Sequence, residues 1–219
     1  YGGTNMALSK VDYNSLNVTA AASKALKWNS TPNGFETGDT AGSLVLLATE
    51  TASSSATIDF TSNIDSTYKE YIFKFYDLHP SADGERFSFQ ANAAGGSGFN
   101  ETITSTAFGA HHNEADDTTA MGYDTAEDQA QGTSFQFISN TLGNDADQNM
   151  NGTLQIFDPS STTFVKHFMA ESNVAQNSDF TIHRFHAGYI NTTSAIDEIQ
   201  FKMSSGNIDT GVIKMYGVT

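Results

Sequence analysis

The chain of 219 residues contains no cysteine, so neither a disulfide framework nor thiolate chemistry is open to it. No apolar run approaches the roughly 20 residues that span a bilayer as a helix. The opening "YGGTNMALSK" has no apolar stretch of the kind a signal peptide needs. Basic residues are also scarce: 10 Lys and Arg stand against 25 Asp and Glu, a net charge of −15. Between Arg86 and Lys166 the only basic groups are His111 and His112. Such a chain repels nucleic acid, whose binding needs Lys and Arg to displace counterions. It also repels an anionic membrane surface. Serine is abundant, but no G-x-S-x-G elbow marks a nucleophile. What the chain does have is 16 Phe and 8 Tyr, enough to fill a β-sandwich core despite a hydrophobic fraction of 38%.

The charge divides the chain in two. Residues 1–42 hold Lys10, Lys24 and Lys27 against Asp12, Glu36 and Asp39 and are neutral, so the acidic excess lies in residues 43–219. "NVTAAASKALKW" offers a cap at Asn17 or Thr19 and then good helix formers through Trp28, which predicts a short helix. "NSTPNGFETGDTAGS" follows with Pro32, Gly34, Gly38 and Gly42 and reads as a linker. Leu16, Val18, Leu26, Trp28 and Phe35 are too few for a core of their own, so this arm is expected to pack on something else.

From Ser43 the hydrophobic period becomes two. "SLVLLAT", "ATIDFT", "EYIFKFYDL", "ERFSFQA", "SFQFIS", "TLQIF", "TFVKHFMA", "FTIHRFHAGYI", "DEIQFKM" and "VIKMYGV" predict roughly nine or ten strands, the pattern of a two-sheet sandwich. Tyr71, Phe73 and Phe75 fall on one face, with Ile72, Lys74, Tyr76 and Leu78 on the other. Phe135 aligns with Phe137. Gly206 and Asn207 supply the turn between the last two strands. Residues 92–131 are polar, Gly-rich and acidic, and are expected to hold long surface loops with one or two short strands.

Metal chemistry has two candidate stretches. "AHHNEADD" brings His111, His112, Glu114, Asp116 and Asp117 close in sequence, and "GNDADQNMNG" places Asp145, Asp147 and Asn149 at alternate positions. Adjacent residues of a strand point to opposite faces, so the two histidines can share an ion only in a loop. The second stretch fails the EF-hand pattern, with Met150 and Ile156 where Gly and an acid belong. His111, Asp116, Asp145 and Asp147 are thus weak ligand candidates set against plainer loops and Asn/Asp turns. Neither a metal nor a cofactor is expected. In "HRFH", His183 shares a face with Phe185, and His186 with Arg184. His167 lies with Val165 and Met169 and is expected to be packed.

Several stretches resemble a domain common in tailed bacteriophages of marine bacteria and cyanobacteria. They are "GSLVLLATETASSSATIDFT", "IDSTYKEYIFKFYDLHPSADGERFSFQ", "GTLQIFDPSSTTFVKHF" and "AGYINTTSAIDEIQFKMSSGNIDTGVIKMYG", and they cover about residues 42–219. The resemblance implies a jelly-roll-like, commonly trimeric, non-enzymatic module on the virion surface, and it brings no catalytic residues. Its implied partners are other capsid or tail proteins. The closing strand is expected to be packed in the sheet, which leaves the neutral arm as the anchor. Two roles follow: a capsid decoration knob, or a tail-fibre tip or adaptor that binds a glycan of the host surface.

Overall fold

The computed structural model describes residues 25–28, 35–38 and 44–219. They divide into two compact units, one holding the two short strands of the arm and the other spanning Leu44–Val218. In the arm, β1 (Ala25–Trp28) pairs antiparallel with β2 (Phe35–Gly38). Most of the helix expected from Asn17 onward lies outside the described residues, as do Leu16 and Val18. Its final residues, Ala25–Trp28, are extended, and Trp28 pairs directly with Phe35. The Pro-Asn-Gly between them is turn chemistry, and the cross-strand Trp–Phe contact favours a hairpin over a short helix that is marginal in water.

The larger unit is all β: β3 (Leu44–Thr51), β4 (Ile58–Phe60), β5 (Glu70–Pro80), β6 (Phe87–Ala93), β7 (Ile103–Asn113), β8 (Thr119–Tyr123), β9 (Ala130–Gly132), β10 (Gln136–Phe137), β11 (Met150–Phe157), β12 (Lys166–Gln176), β13 (Phe180–Ile190), β14 (Ile196–Met203) and β15 (Ile208–Val218). No helix occurs among the described residues. A large sheet runs β3-β15-β5-β11-β12-β13-β7-β8, with β9 also on β7, and a small sheet runs β10-β6-β14-β4. Every pairing is antiparallel. β14 and β15 are joined through the turn at Gly206, where φ is +68°, a conformation glycine adopts without steric cost. The turn carries the chain from the small sheet to the large one.

The layers meet through aromatic rings. From the large sheet, Phe73 and Phe75 of β5 contact Phe201 of β14 at 5.3 and 5.4 Å, and Phe75 contacts Phe87 of β6 at 5.1 Å. Phe201 also stacks on Phe87 and meets Phe60 edge-on. At the neighbouring strands Phe89 meets Phe168 at 5.1 Å. These are the offset and edge-to-face geometries that the ring quadrupole favours.

The strict alternation fails in four places. Asp77 adopts φ +50°, and the register of β5 slips there against β11 and β15. This bulge inserts one residue and returns Leu78 to the buried face, contrary to the period-two expectation. In β10 it is Gln136 that is buried, while Phe135 and Phe137 lie nearer the surface under Lys202 and Arg86 at 4.0 and 5.3 Å. His167 is exposed, because β12 turns Lys166 and Phe168 inward instead. Finally, the stretch expected to be mostly loop contains β7, an eleven-residue strand within the large sheet. Its small residues Ser105, Ala107 and Gly109 face inward, so few large apolar side chains mark it in the sequence.

Candidate functional site

The metal candidates are not brought together. His111 and His112 sit at the end of β7, not in a loop, and so face opposite sides of the sheet. His112 bonds Asp116 at 3.1 Å, whereas the His111 ring meets Phe180 edge-on. Asp117 accepts a hydrogen bond from Asn113, and side-chain bonds of this kind from Asn113 and Thr118 hold its carboxyl below the usual carboxylate range. Asp145 and Asp147 lie in the turn before β11. There Gln148 accepts from the Asp145 amide and donates its own amide to the Asp145 carbonyl. Among the described residues no group of three His, Cys, Asp or Glu forms a ligand set.

Of the arm residues, Leu26, Trp28 and Phe35 share one face of the hairpin and are 45%, 61% and 36% exposed. Trp28 stacks on Phe35 at 4.4 Å. On the other face Lys27 and Glu36 lie 3.6 Å apart, both half exposed.

Two arrangements were not visible in the sequence pattern. The first is a buried ionic cluster under β13. Arg184 and His186 face inward there and meet two carboxylates from the segment after β8. Arg184 donates to Asp124 at 2.8 Å and lies 3.4 Å from Glu127. Glu127 is wholly buried; it accepts from Asn140 at 2.6 Å and lies 3.2 Å from His186 and 3.9 Å from Arg86. His186 Nδ1 is buried without a partner, which fits the tautomer carrying its hydrogen on Nε2, toward Glu127. With each arginine opposite a carboxylate, the cluster pins the 124–140 segment to the sheet. Arg184 and Asn140 also line a groove of about 280 Å³, beside His111 and Phe180.

The second arrangement follows from the first. Because Arg184 and His186 point in, the aromatic side of β13 points out. Direct cross-strand pairing sets Thr153, Glu171, Phe185, Phe108 and Tyr123 in one row across the outer face of β11, β12, β13, β7 and β8. Phe185 and Phe108 stack at 5.2 Å, and Phe108, Tyr123 and Met169 are about half exposed. A groove of about 290 Å³ lies here, lined among others by Phe185, Phe108, Met169, Gln155, Thr153 and Glu171. His183, tilted against Phe185 at 4.3 Å, bonds Glu171 at 2.8 Å and holds its carboxylate in place. The sequence signal was the alternation in "TIHRFHAGY". It gave the pairing of faces correctly but not which face is outside.

No family model, curated protein sequence or solved structure matches this chain.

Proposed function

We propose that the protein is a non-enzymatic surface module of a tailed-phage particle, a jelly-roll-like β-sandwich knob held by its N-terminal arm. The observation that carries this reading is the β1–β2 hairpin, which turns Leu26 and the stacked Trp28–Phe35 pair to the outside. Every buried hydrophobic residue among those described falls between Ala52 and Met215. The larger unit therefore has a core of its own, and we assign the apolar face of the hairpin to attachment. The phage setting rests on the stretches of sequence that resemble phage appendage domains. A decoration knob on the capsid, in a symmetric and most simply trimeric assembly, is the favoured form.

Buried Trp anchors commonly contribute about 2 kcal/mol or more to an interface. Particles assembled with Trp28→Ala should therefore carry fewer copies of the protein, while the purified variant melts like the wild type. Full occupancy by Trp28→Ala, and by a variant lacking residues 1–43, would overturn the anchoring role. A tail-fibre tip or adaptor is the second reading, and the aromatic row on the outer sheet face favours it.

A further inference from the structure

We propose that the groove on the outer face of the large sheet binds a neutral carbohydrate. This goes beyond the mode of attachment and does not depend on it. One wall is aromatic and apolar: Phe185 stacked on Phe108, with Met169 on the neighbouring strand. The face of an aromatic ring carries partial negative charge and suits the slightly positive C–H bonds on the flat side of a sugar ring. The other wall is polar. Gln155 offers an amide that both donates and accepts, Thr153 a hydroxyl, and Glu171 a carboxylate that only accepts. Glu171 is oriented in advance by His183 at 2.8 Å, which lowers the ordering cost of binding. The side chains of Gln155 and Thr153 bond no other side chain among the described residues, so their hydrogen-bonding capacity faces the groove.

Size and charge narrow the ligand. The groove of about 290 Å³ adjoins a second of about 260 Å³ that shares Thr153 and Glu171 and continues past Asn151 and Asn173. Each lies near the lower limit of small-molecule sites, roughly 300 Å³. Two contiguous open grooves suit successive rings of a sugar chain better than a single enclosed ligand. Neither groove is lined by Lys or Arg, and the chain carries −15 overall. The charged side chain within both grooves is the Glu171 carboxylate, which repels an acidic sugar seated against it; Lys74, paired with Thr153 on β5, borders the groove. A second copy of the chain is a poorer occupant. It would bury Glu171, Gln155 and Thr153 against another strongly acidic molecule, and buried polar groups without partners are costly.

The test uses the whole purified chain on a broad array of neutral glycans, with alginate and other polyanionic glycans as controls. Affinities of the hits follow from electrophoresis in gels containing the soluble polysaccharide. At least one neutral glycan should bind and the polyanions should not. Gln155→Ala and Phe185→Ala should each weaken binding about tenfold or more, and Leu46→Ala, exposed on the same face but three strands away from Gln155, should not change it. Gln155 is partly exposed, so its variant remains informative even where Phe185→Ala folds poorly. Trp28→Ala should bind sugar normally, which separates this site from failure of the arm. The proposal is wrong when no neutral glycan on the array binds, when polyanions bind better, or when Gln155→Ala binds as the wild type does. Sedimentation showing that Phe185→Ala dissolves an oligomer, with no sugar bound by either form, would assign the face to self-association instead.

Discussion

Glu127 shows how one side chain decides the orientation of a strand. Its carboxylate is buried, yet it has Asn140, His186 and the guanidinium groups of Arg184 and Arg86 around it. Removing Glu127 takes a carboxylate from Arg184, whose nearly buried side chain keeps only Asp124, and breaking a buried pair in this way typically costs about 3–5 kcal/mol. Glu127→Ala should lose stability on that order in denaturant unfolding. A loss below about 1 kcal/mol, the scale of an exposed pair, would mean that water already reaches the cluster. In the sequence Glu127 is one acid among many in an acidic stretch, "GYDTAEDQ", and nothing local separates it from its solvated neighbours. That Arg184 and His186 share a face was legible from alternation. That this face is the inner one was not, because its Phe180, Ile182 and Ile190 are matched by Phe185, Ala187 and Tyr189 on the other side, and the partners that allow Arg184 and His186 to turn inward lie far away in sequence.

Among the elements, the strands rich in large apolar residues were legible because burial on one face enforces period two. β5, β11 and β14 follow from Phe, Tyr, Leu and Ile at alternate positions. β7 was hidden because its inward residues are small, whereas β10 was legible as a strand in "SFQFIS" but with its faces reversed, because its inward residue is an amide. Gln136 makes up for its burial by bonding Ser105, at 2.7 Å, and the carbonyls of Glu127 and Phe137. A polar side chain satisfied in this way is invisible to a hydrophobicity pattern. The bulge in β5 was missed for a different reason: it depends on backbone conformation. At Asp77 the left-handed φ is held by hydrogen bonds exchanged with Asn151 and accepted from Asn149. A β-branched residue there pays the left-handed penalty of about 1–2 kcal/mol, whereas glycine does not. Asp77→Val should therefore unfold at lower denaturant than Asp77→Gly, and equal midpoints would argue against a strained bulge.

For the whole molecule, several ionisable groups combine to shape stability against pH. Burial raises the phenols of Tyr71 and Tyr216 above the ordinary 10.0, and the bond to Asp128 raises that of Tyr123. Above pH 10 the unfolded chain has released these protons and the native one has not, so stability falls as pH rises. Lys166 acts oppositely: burial lowers it below 10.5, so its contribution rises with pH up to that value. At the acid end, hydrogen bonds from Thr67 and Asn113 hold Asp65 and Asp117 below 3.8, and their contribution is lost as pH falls beneath it. Unfolding free energy should hold up to about pH 10 and then decline, and Tyr71→Phe should make the decline shallower. An unchanged alkaline slope in Tyr71→Phe would exclude that phenol. The place of β15 between β3 and β5 has a consequence in time. Val218 pairs with Leu44, so the sheet closes only after a search across most of the chain, a slow step in folding. Until then β5 offers a bare hydrophobic edge to every other unfinished copy, the usual route to aggregation. The acidic surplus, already present in the unfolded chain, keeps those copies apart while the last strand finds its place.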